Sequence, residues 1–443
     1  MIQLVYDHFD DQGPMPNGLC YEDRLRWKED SLTYNNFNVL TRFLPTESNR
    51  KGWFPVLLNE SSFEYKNVSV DNLEEGRALY VIEPNYLELS LILRNCFGNI
   101  SKKAVKLIQQ KKMDLVIFYA YEGFPLQQCH WAELVERSLG NLGITSDCVK
   151  FVFGDVNIEK NVEHYYKYHA PHPWYDFRFK NNYIFEHLEF ELFFHLRESL
   201  NDPNEKISQL VEESSLQKGQ LRPYKYLCLN GGGRPHRVHL LGELKRKGLL
   251  EHGLVSYMKK FEIEFDPEEF IHKKDPEKKE KLKFHTSWPK EIEPMYVDLE
   301  QNYTHWHNRG MTADNYRNSY FNVVTETFPA EPSFMLTEKV FKPLVNLQPL
   351  LVYGHPGTLK HLKTLGYESF PEVFDESYDN EEDSALRMKL IINEIDKACK
   401  KSLEEWDDIY WSVLPKLKRN RENFLKNNFK DRINKLIGEL VES

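Results

Sequence analysis

The stretch Ser319–Gly357, SYFNVVTETFPAEPSFMLTEKVFKPLVNLQPLLVYGHPG, leaves this chain few ways to fold. The unbroken run Ser319–Thr325 has the length and β-branched content of a strand buried on both faces, and Glu326 follows at its carboxyl end. A loop with Pro329 and Pro332 comes next, after which Thr337 can cap a helix opening on Glu338 and Lys339. Leu350–Tyr353 is a second apolar strand, with Pro349 at its start, where proline is tolerated, and a glycine turn closes the unit. Strand, helix and strand in this order belong to an open α/β sheet. In such sheets ligands bind beyond the carboxyl ends of the strands, beside helix N-termini. A carboxylate at Glu338 with ammonium groups at Lys339 and Lys342 in that place suits a ribose hydroxyl and phosphates.

The rest of the chain extends the same alternation. Ala78–Ile82, Leu115–Ala120 and Val149–Gly154 are apolar strands, with helices expected over Lys102–Gln110 and Trp131–Leu142 between them. Tyr183–Leu200 reads as a longer helix. The polar stretch Asn201–Pro223 has the composition of a linker, and a second α/β unit begins at the strand Tyr224–Leu229. Within that unit the charge-dense segment 259–289 reads as a solvated insertion. Ser384–Val441 carries the pattern of two or three amphipathic helices. The expected organisation is therefore an acceptor-side domain over 1–220, a ligand-binding domain over 221–400 and closing helices over 401–443, well within what 443 residues can form.

Composition narrows the function classes. A hydrophobic fraction of 41% and a charged fraction of 28% are those of a globular protein. The net charge of −10 gives no global field to attract nucleic acid or an anionic membrane, although a local basic cleft is compatible with it. No apolar stretch approaches the ~18 residues of a membrane span, and the acidic N-terminus is unlike a secretory signal. The six cysteines are scattered without a CxxC, which suits reduced core thiols and a cytoplasmic compartment. Aromatic residues make up 14% of the chain, fitting either sugar-stacking surfaces or large cores.

A second block, Tyr224–Leu250, places chemistry at another strand end. Gly231, Gly232 and Gly233 are expected to form a tight turn after the strand, with Pro235 at the first position of the next helix. Arg234 and Arg237 would flank that helix N-terminus, where free N–H groups and the dipole attract phosphate and the guanidinium fork can grip it. The alternative is a glycine turn whose arginines pair with surface carboxylates. Glu338 and Lys342 likewise stand at the spacing of an ordinary i,i+4 ion pair. Against that, a lysine in the first turn opposes the helix dipole, and a bound anion would account for it. Pro343 limits how regular this helix can be.

Two histidine groups, His305/His307 and His169/His172, have short spacings but lack a third ligand in reach, so no metal site is expected. HPWYDF, residues 172–177, suits an aromatic platform for a sugar or a piece of core. For a general base, Glu122 follows the strand Leu115–Ala120 and is the leading candidate, with Asp155 after FVFG the second. Either could instead be a solvated loop acid.

The pattern FMLTEKVFKPLVNLQPLLVYG resembles the donor-domain signature of fucosyltransferases and exostosin-type glycosyltransferases, in which an [ST]-E-K segment opens a helix followed by a strand ending in Gly. It is also similar to viral and bacterial proteins with TEK-x-x-KP, a G-x-P-G turn and a distal SYD, here Thr337–Pro343, Gly354–Gly357 and Ser377–Asp379. The resemblance spans about residues 224–380. It implies a GT-B architecture, an α/β fold of two Rossmann-like domains facing across a cleft, with C-terminal helices. The nucleotide sugar would lie in the C-terminal domain, with no essential metal and no other cofactor. On matching positions Glu338 would bind the donor ribose and Lys339 or Lys342 the diphosphate. Arg234 or Arg237 would neutralise the leaving nucleotide, and Glu326 is grouped with them by its place at the strand end. Lys342-Pro343 departs from the fucosyltransferase pattern of a longer Ala-rich helix, which leaves the sugar and the base of the nucleotide open.

The expectation is an inverting, metal-independent glycosyltransferase acting from a nucleotide-sugar donor on a hydroxyl acceptor. Two alternatives stand beside it. One is a DNA-modifying glycosyltransferase of viral type with a basic groove from Lys259–Lys283, and the other a non-catalytic nucleotide- or glycan-binding protein.

Overall fold

In the computed structural model of the chain, the described residues are 1–6, 53–83, 100–120, 126, 131–168, 178–201, 210–232, 234–260, 295, 311–327, 329, 333–426 and 429–442. They form two compact units, Met1–His187 with Asn428–Ser443, and Leu188–Asn427. Each is an α/β unit built on a parallel sheet.

The sheet of the first unit comprises β1 (Ile2–Tyr6), β2 (Tyr65–Ser69), β3 (Ala78–Ile82), β4 (Asp114–Tyr119), β5 (Val149–Phe153) and β6 (Asn182–Ile184), in the spatial order β2-β1-β3-β4-β5-β6. β3 and β5 are buried along their whole length, and β4 from its second residue on, as expected of parallel strands covered on both faces. Among the described residues, helices α1 (Trp53–Glu60), α2 (Lys102–Gln109), α3 (Trp131–Asn141) and α4 (Ile158–Tyr168) lie between the strands. The buried polar side chains of Gln3 and Lys150 in this sheet are both paired. Gln3 donates from Nε2 to the Glu74 carbonyl at 3.0 Å and accepts from Glu74 N–H at 2.9 Å. Lys150 on β5 donates to the Leu440 carbonyl at 2.6 Å and pairs with Asp114 at 2.9 Å. The bond to Leu440 anchors the chain's last helix, Phe429–Glu442, which also packs against α1.

The second unit begins with α5 (His187–Asn201) and holds β7 (Tyr224–Gly232), β8 (Gly253–Lys260), β9 (Ser319–Thr325) and β10 (Leu350–Tyr353) in the order β10-β9-β7-β8. Its helices are α6 (Pro235–Arg246), α7 (Ala313–Arg317), α8 (Glu338–Val345), α9 (Thr358–Thr364), α10 (Ser384–Lys400) and α11 (Leu403–Leu425). The core is aromatic. Trp406 of α11 stacks on Phe321 of β9 with centroids 4.9 Å apart, and Tyr320 and Phe374 lie beside it. Gly253 opens β8 because a Cβ there would stand 2.3 Å from the Tyr226 ring.

The two sheets repeat one order, with the second strand on one side of the first and the third and fourth on the other. The direction of winding reverses between β1 and β3 in one, and between β7 and β9 in the other. Such a reversal opens a crevice at the strand carboxyl ends, the usual ligand position in this class.

Several elements differ from the sequence-based expectation. β1, β2, β6 and β8 are additional strands; β2 is half-polar and β6 has three residues at the sheet edge. The helix expected over Tyr183–Leu200 starts at His187, because Tyr183 and Ile184 pair with Val152 and Phe153. The described part of the expected linker is fastened to the second unit. Val211 N–H donates to Asn346 Oδ1 at 3.0 Å and Gly219 N–H to Asp407 Oδ2 at 2.9 Å, while buried Arg222 lies over the Tyr410 ring at 3.7 Å. The unit boundary accordingly falls at His187/Leu188 rather than at 220, and the closing helices divide, with α10 and α11 in the second unit and Phe429–Glu442 in the first.

Candidate functional site

The site assembles where β7 and β9 end. β7 runs on through Gly231 and Gly232 with an irregularity in its pairing between Asn230 and Gly232, so these two glycines are strand rather than tight turn, and Gly233 lies outside the described residues. Arg234 is the N-cap of α6 with Pro235 at the first helical position. Arg237, one turn in, is buried and directed at β9. Its Nε donates to Thr325 Oγ1 and its Nη2 to the Thr325 carbonyl, both at 3.2 Å. Thr325 Oγ1–H in turn donates to Asn230 Oδ1 at 2.7 Å. His236 Nε2–H donates to the Glu326 carbonyl at 2.9 Å. The expected pair of phosphate-gripping arginines is thereby separated: Arg237 ties α6 to β9, and Arg234 keeps the half-buried position at the helix start.

Glu326, directly after β9, is 1% exposed. Thr337 N–H donates to its Oε1 at 2.9 Å, and Thr337 Oγ1–H to its Oε2 at 2.6 Å. Thr327 N–H approaches Oε2 at 3.3 Å. Burial raises the Glu326 pKa, opposed by Lys339 and by these hydrogen bonds. This acid, grouped with the ligand-binding residues by sequence, therefore spends its acceptor capacity inside the protein. Its neighbour at the end of the adjacent strand β10 is Gly354, where a Cβ would stand 2.8 Å from Thr358 Oγ1 and 3.4 Å from Glu326 Cγ.

Thr337 is the N-cap of α8, its Oγ1 accepting from Lys339 N–H at 3.3 Å. Glu338 opens the helix with a side chain 5% exposed, and its Oε1 receives Lys339 Nζ at 2.8 Å. Glu338 Oε2 is buried and has no hydrogen-bond partner among the described residues. Burial works against the charge on Glu338, but Lys339 and Lys342 outweigh it and hold its pKa below the ordinary carboxylate value. The Lys342 pKa is lowered too, which in a lysine disfavours the charged form. Burial lowers its pKa to about 8, with Glu338 opposing that shift and Lys339 adding to it.

The expected Glu338–Lys342 pair at i,i+4 is replaced by contact with the adjacent Lys339. Nor does Lys342 oppose the helix dipole. Helix α8 has only eight residues, and Lys342 falls in its last turn, where a cation is favoured. Pro343 and the left-handed Leu347, at φ 57°, end the helix early.

The two remaining motifs brace this crevice from the β10 side. Asp379 of the SYD segment accepts from Leu359 N–H at 2.9 Å and Lys360 N–H at 3.1 Å, capping α9. Gly357 N–H donates to the Asp379 carbonyl at 2.6 Å. His355 of the G-x-P-G turn stacks on Phe334 with centroids 4.5 Å apart. Sequence reasoning missed Asn230, His236 and Thr325 as members of this cluster. The first two lie in the glycine–arginine block, and only their hydrogen bonds to β9 reveal the role.

In the first unit, Asp155 is buried and engaged. Its Oδ1 accepts from Asn157 N–H at 2.8 Å and its Oδ2 from Asn161 Nδ2 at 2.9 Å. Glu83, which the sequence did not single out, follows β3 and accepts from Trp53 and Phe54 N–H, both at 2.8 Å. Glu122, both histidine pairs and the HPWYDF segment lie outside the described residues, as does the insertion 259–289 apart from Lys259 and Lys260. Cys148, Cys228 and Cys399 are buried free thiols. Among the described residues no three His, Cys, Asp or Glu side chains cluster as metal ligands, and no helix is long and apolar enough to cross a membrane.

No protein-family model matches the chain, and no curated protein matches its sequence. Among solved structures, an alpha1,3-fucosyltransferase crystal structure aligns over 85% of this chain and 97% of that one, at 11% identity and a TM-score of 0.29. A likeness that loose carries no argument about fold or function.

Proposed function

We propose that the chain is a glycosyltransferase that takes its sugar from a nucleoside-diphosphate sugar bound at the β7/β9 crevice. One observation carries the reading: Glu338 Oε2, buried without a partner among the described residues, on a carboxylate whose charge Lys339 and Lys342 favour. A buried carboxylate oxygen without a donor is costly, and a bound group that supplies one removes the cost. A ribose hydroxyl does so, and it places the diphosphate toward Lys339, Lys342 and the N-terminus of α6 at Arg234. Phosphate alone would not, since an anion cannot satisfy Oε2.

In the reaction, the oxygen of an acceptor hydroxyl attacks the anomeric carbon, the bond from that carbon to the phosphate oxygen breaks, and the diphosphate departs with the bonding pair. Lys339, Lys342 and Arg234 stabilise the charge that develops on it. The hydroxyl proton passes to a general base, a role we assign to Glu122 from its place in the sequence. Asp155 is not suited to it, since both its oxygens are held by Asn157 and Asn161. The tied carboxylate of Glu326 supports the same division of labour, with Glu338 as the group that meets the donor.

Thermal shift and calorimetry against UDP, GDP, CMP and dTDP sugars test this reading, because a ligand of the folded state raises its melting temperature. We expect one nucleotide class to bind the native chain and Glu338→Gln to weaken it. Binding of none, or equal binding by Glu338→Gln, would refute the site. Slow release of nucleoside diphosphate from the bound donor distinguishes an enzyme from a protein that only binds nucleotide.

A further inference from the structure

We infer that Glu326 is a positioning residue: from inside the sheet it sets the helix cap that aims Glu338. This rests on the reading of Glu338 as the donor-contacting group. The two acids are twelve positions apart and do not share a hydrogen bond, but one threonine links them. Glu326 takes both the amide and the hydroxyl hydrogen of Thr337. With that proton committed, the lone pairs of Thr337 Oγ1 face Lys339 N–H at 3.3 Å and Lys339 Nζ at 3.3 Å. Lys339 Nζ then lies 2.8 Å from Glu338 Oε1, which leaves Oε2 as the oxygen for a ligand. The orientation of one hydroxyl thus passes from Glu326 to the helix start and to the carboxylate beyond it.

Three features make this more than a local cap. An N-cap threonine needs no acid behind it, since its oxygen alone satisfies an N–H of the first turn. Here the acid is 1% exposed and held with three donors against the cost of burying a charge. The strand end that carries it is itself fixed, its carbonyl receiving His236 Nε2–H from the start of α6 at 2.9 Å. Gly354 stands against the side chain, a Cβ there lying in van der Waals contact with Glu326 Cγ at 3.4 Å. Glutamine cannot replace Glu326 without loss. Its amide offers one acceptor atom where two are used, and its NH₂ would face either Thr337 N–H or Thr327 N–H.

The test uses the full chain and whichever of UDP, GDP, CDP and dTDP binds it most tightly. Glu326→Gln, Glu338→Gln and the double variant are compared by calorimetry, with hydrogen exchange of residues 337–339 followed without ligand. We expect Glu326→Gln to speed exchange at these amides and weaken binding about tenfold, and to add little in the Glu338→Gln background, because it acts through Glu338. Thr337→Val should repeat the loss and Thr337→Ser give a smaller one, which keeps the test open if Glu326→Gln folds poorly. Unchanged exchange at 337–339 overturns the inference whether or not a nucleotide binds. Additive losses in the double variant overturn it as well. Loss on Glu338→Gln without loss on Glu326→Gln sinks the positioning role alone, whereas no loss on Glu338→Gln sinks the donor reading itself.

Discussion

The two units place acids at the same points of the same winding and use them differently. In the first, Glu83 after β3 and Asp155 after β5 are buried, and each oxygen of each carboxylate receives an N–H from the protein. In the second, Glu326 after β9 is filled in the same way, but Glu338 beyond it keeps one buried oxygen without a partner among the described residues. Three of these four acids, Glu83, Asp155 and Glu326, follow a strand and tie it to a helix, α1, α4 and α8 respectively. What sets the fourth apart is unmet hydrogen-bonding capacity in a buried place, with two cations beside it. Position at a strand's carboxyl end is shared by the three ties and by itself marks no ligand group.

The sharpest way to break this comparison is to remove the acids from both units. Glu83→Ala leaves the N–H groups of Trp53 and Phe54 without their acceptor, and we expect a loss of about 3 kcal/mol in chemical denaturation, with nucleotide binding unaltered. Glu338→Gln should do the reverse. Nucleoside-diphosphate affinity should fall about 10–100-fold, as for a lost hydrogen bond to a charged group, while the melting temperature changes little, because the Oε2 position serves no partner among the described residues and Gln can keep the contact to Lys339 through its carbonyl oxygen. If Glu338→Gln destabilises the chain as Glu83→Ala does, Glu338 is one more tie and the distinction between the units disappears.

Much of the second unit could be read from sequence because its signals are local. β9 and β10 are unbroken apolar runs, Thr337 is a cap residue directly before its helix, and the glycine turn follows at once. The same holds for β3, β4 and β5. What failed was whatever depends on partners far along the chain. β1 contains a buried Gln3 that is tolerable only because Glu74 pairs with it, and β6 is a three-residue edge that a following helix pattern overruns. Glu326 looked like a ligand group because its partner Thr337 stands across a loop. Arg237 looked like a phosphate grip because Thr325, its actual partner, lies on a strand 88 residues later. Lys342 was misplaced for a third reason. The helix length is set by Pro343 and Leu347, and a helix three residues longer would have kept this lysine in its first half.

The glycine behind Glu326 offers a milder probe. Gly354→Ala puts a Cβ 2.8 Å from Thr358 Oγ1 and 3.3 Å from Val352 Cγ1, so the turn must shift. We expect a cost of roughly 1–3 kcal/mol by thermal denaturation, together with weaker nucleotide binding, because the same shift reaches Glu326. A loss of stability with undiminished binding would mean that the β10 side of the crevice is structural only, and would confine the site to the β7/β9 side.

The smallest effect asks whether the cations beside Glu338 serve a ligand or only balance the acid. Burial holds Lys342 at about 8, and among the described residues Glu338 opposes that shift and Lys339 adds to it. The unfolded chain keeps this proton up to the ordinary lysine range. From about pH 8 upward the unfolded state therefore binds more protons than the folded one, and the free protein gains stability as pH rises through that window. A bound diphosphate reverses the balance, since its negative charge favours the ammonium and raises its pKa. Binding then takes up a proton above about pH 8, so affinity falls as pH rises there, by at most about tenfold per pH unit, and is level below pH 7 as far as this group is concerned. Calorimetry of the tightest nucleoside diphosphate between pH 6.5 and 9.5 measures this slope, and the proton uptake shows as a dependence of the heat on buffer ionisation. In Lys342→Met both the slope and the uptake should vanish. If Lys342→Met changes the pH dependence of stability but leaves that of binding intact, the lysine balances Glu338 and does not meet the diphosphate.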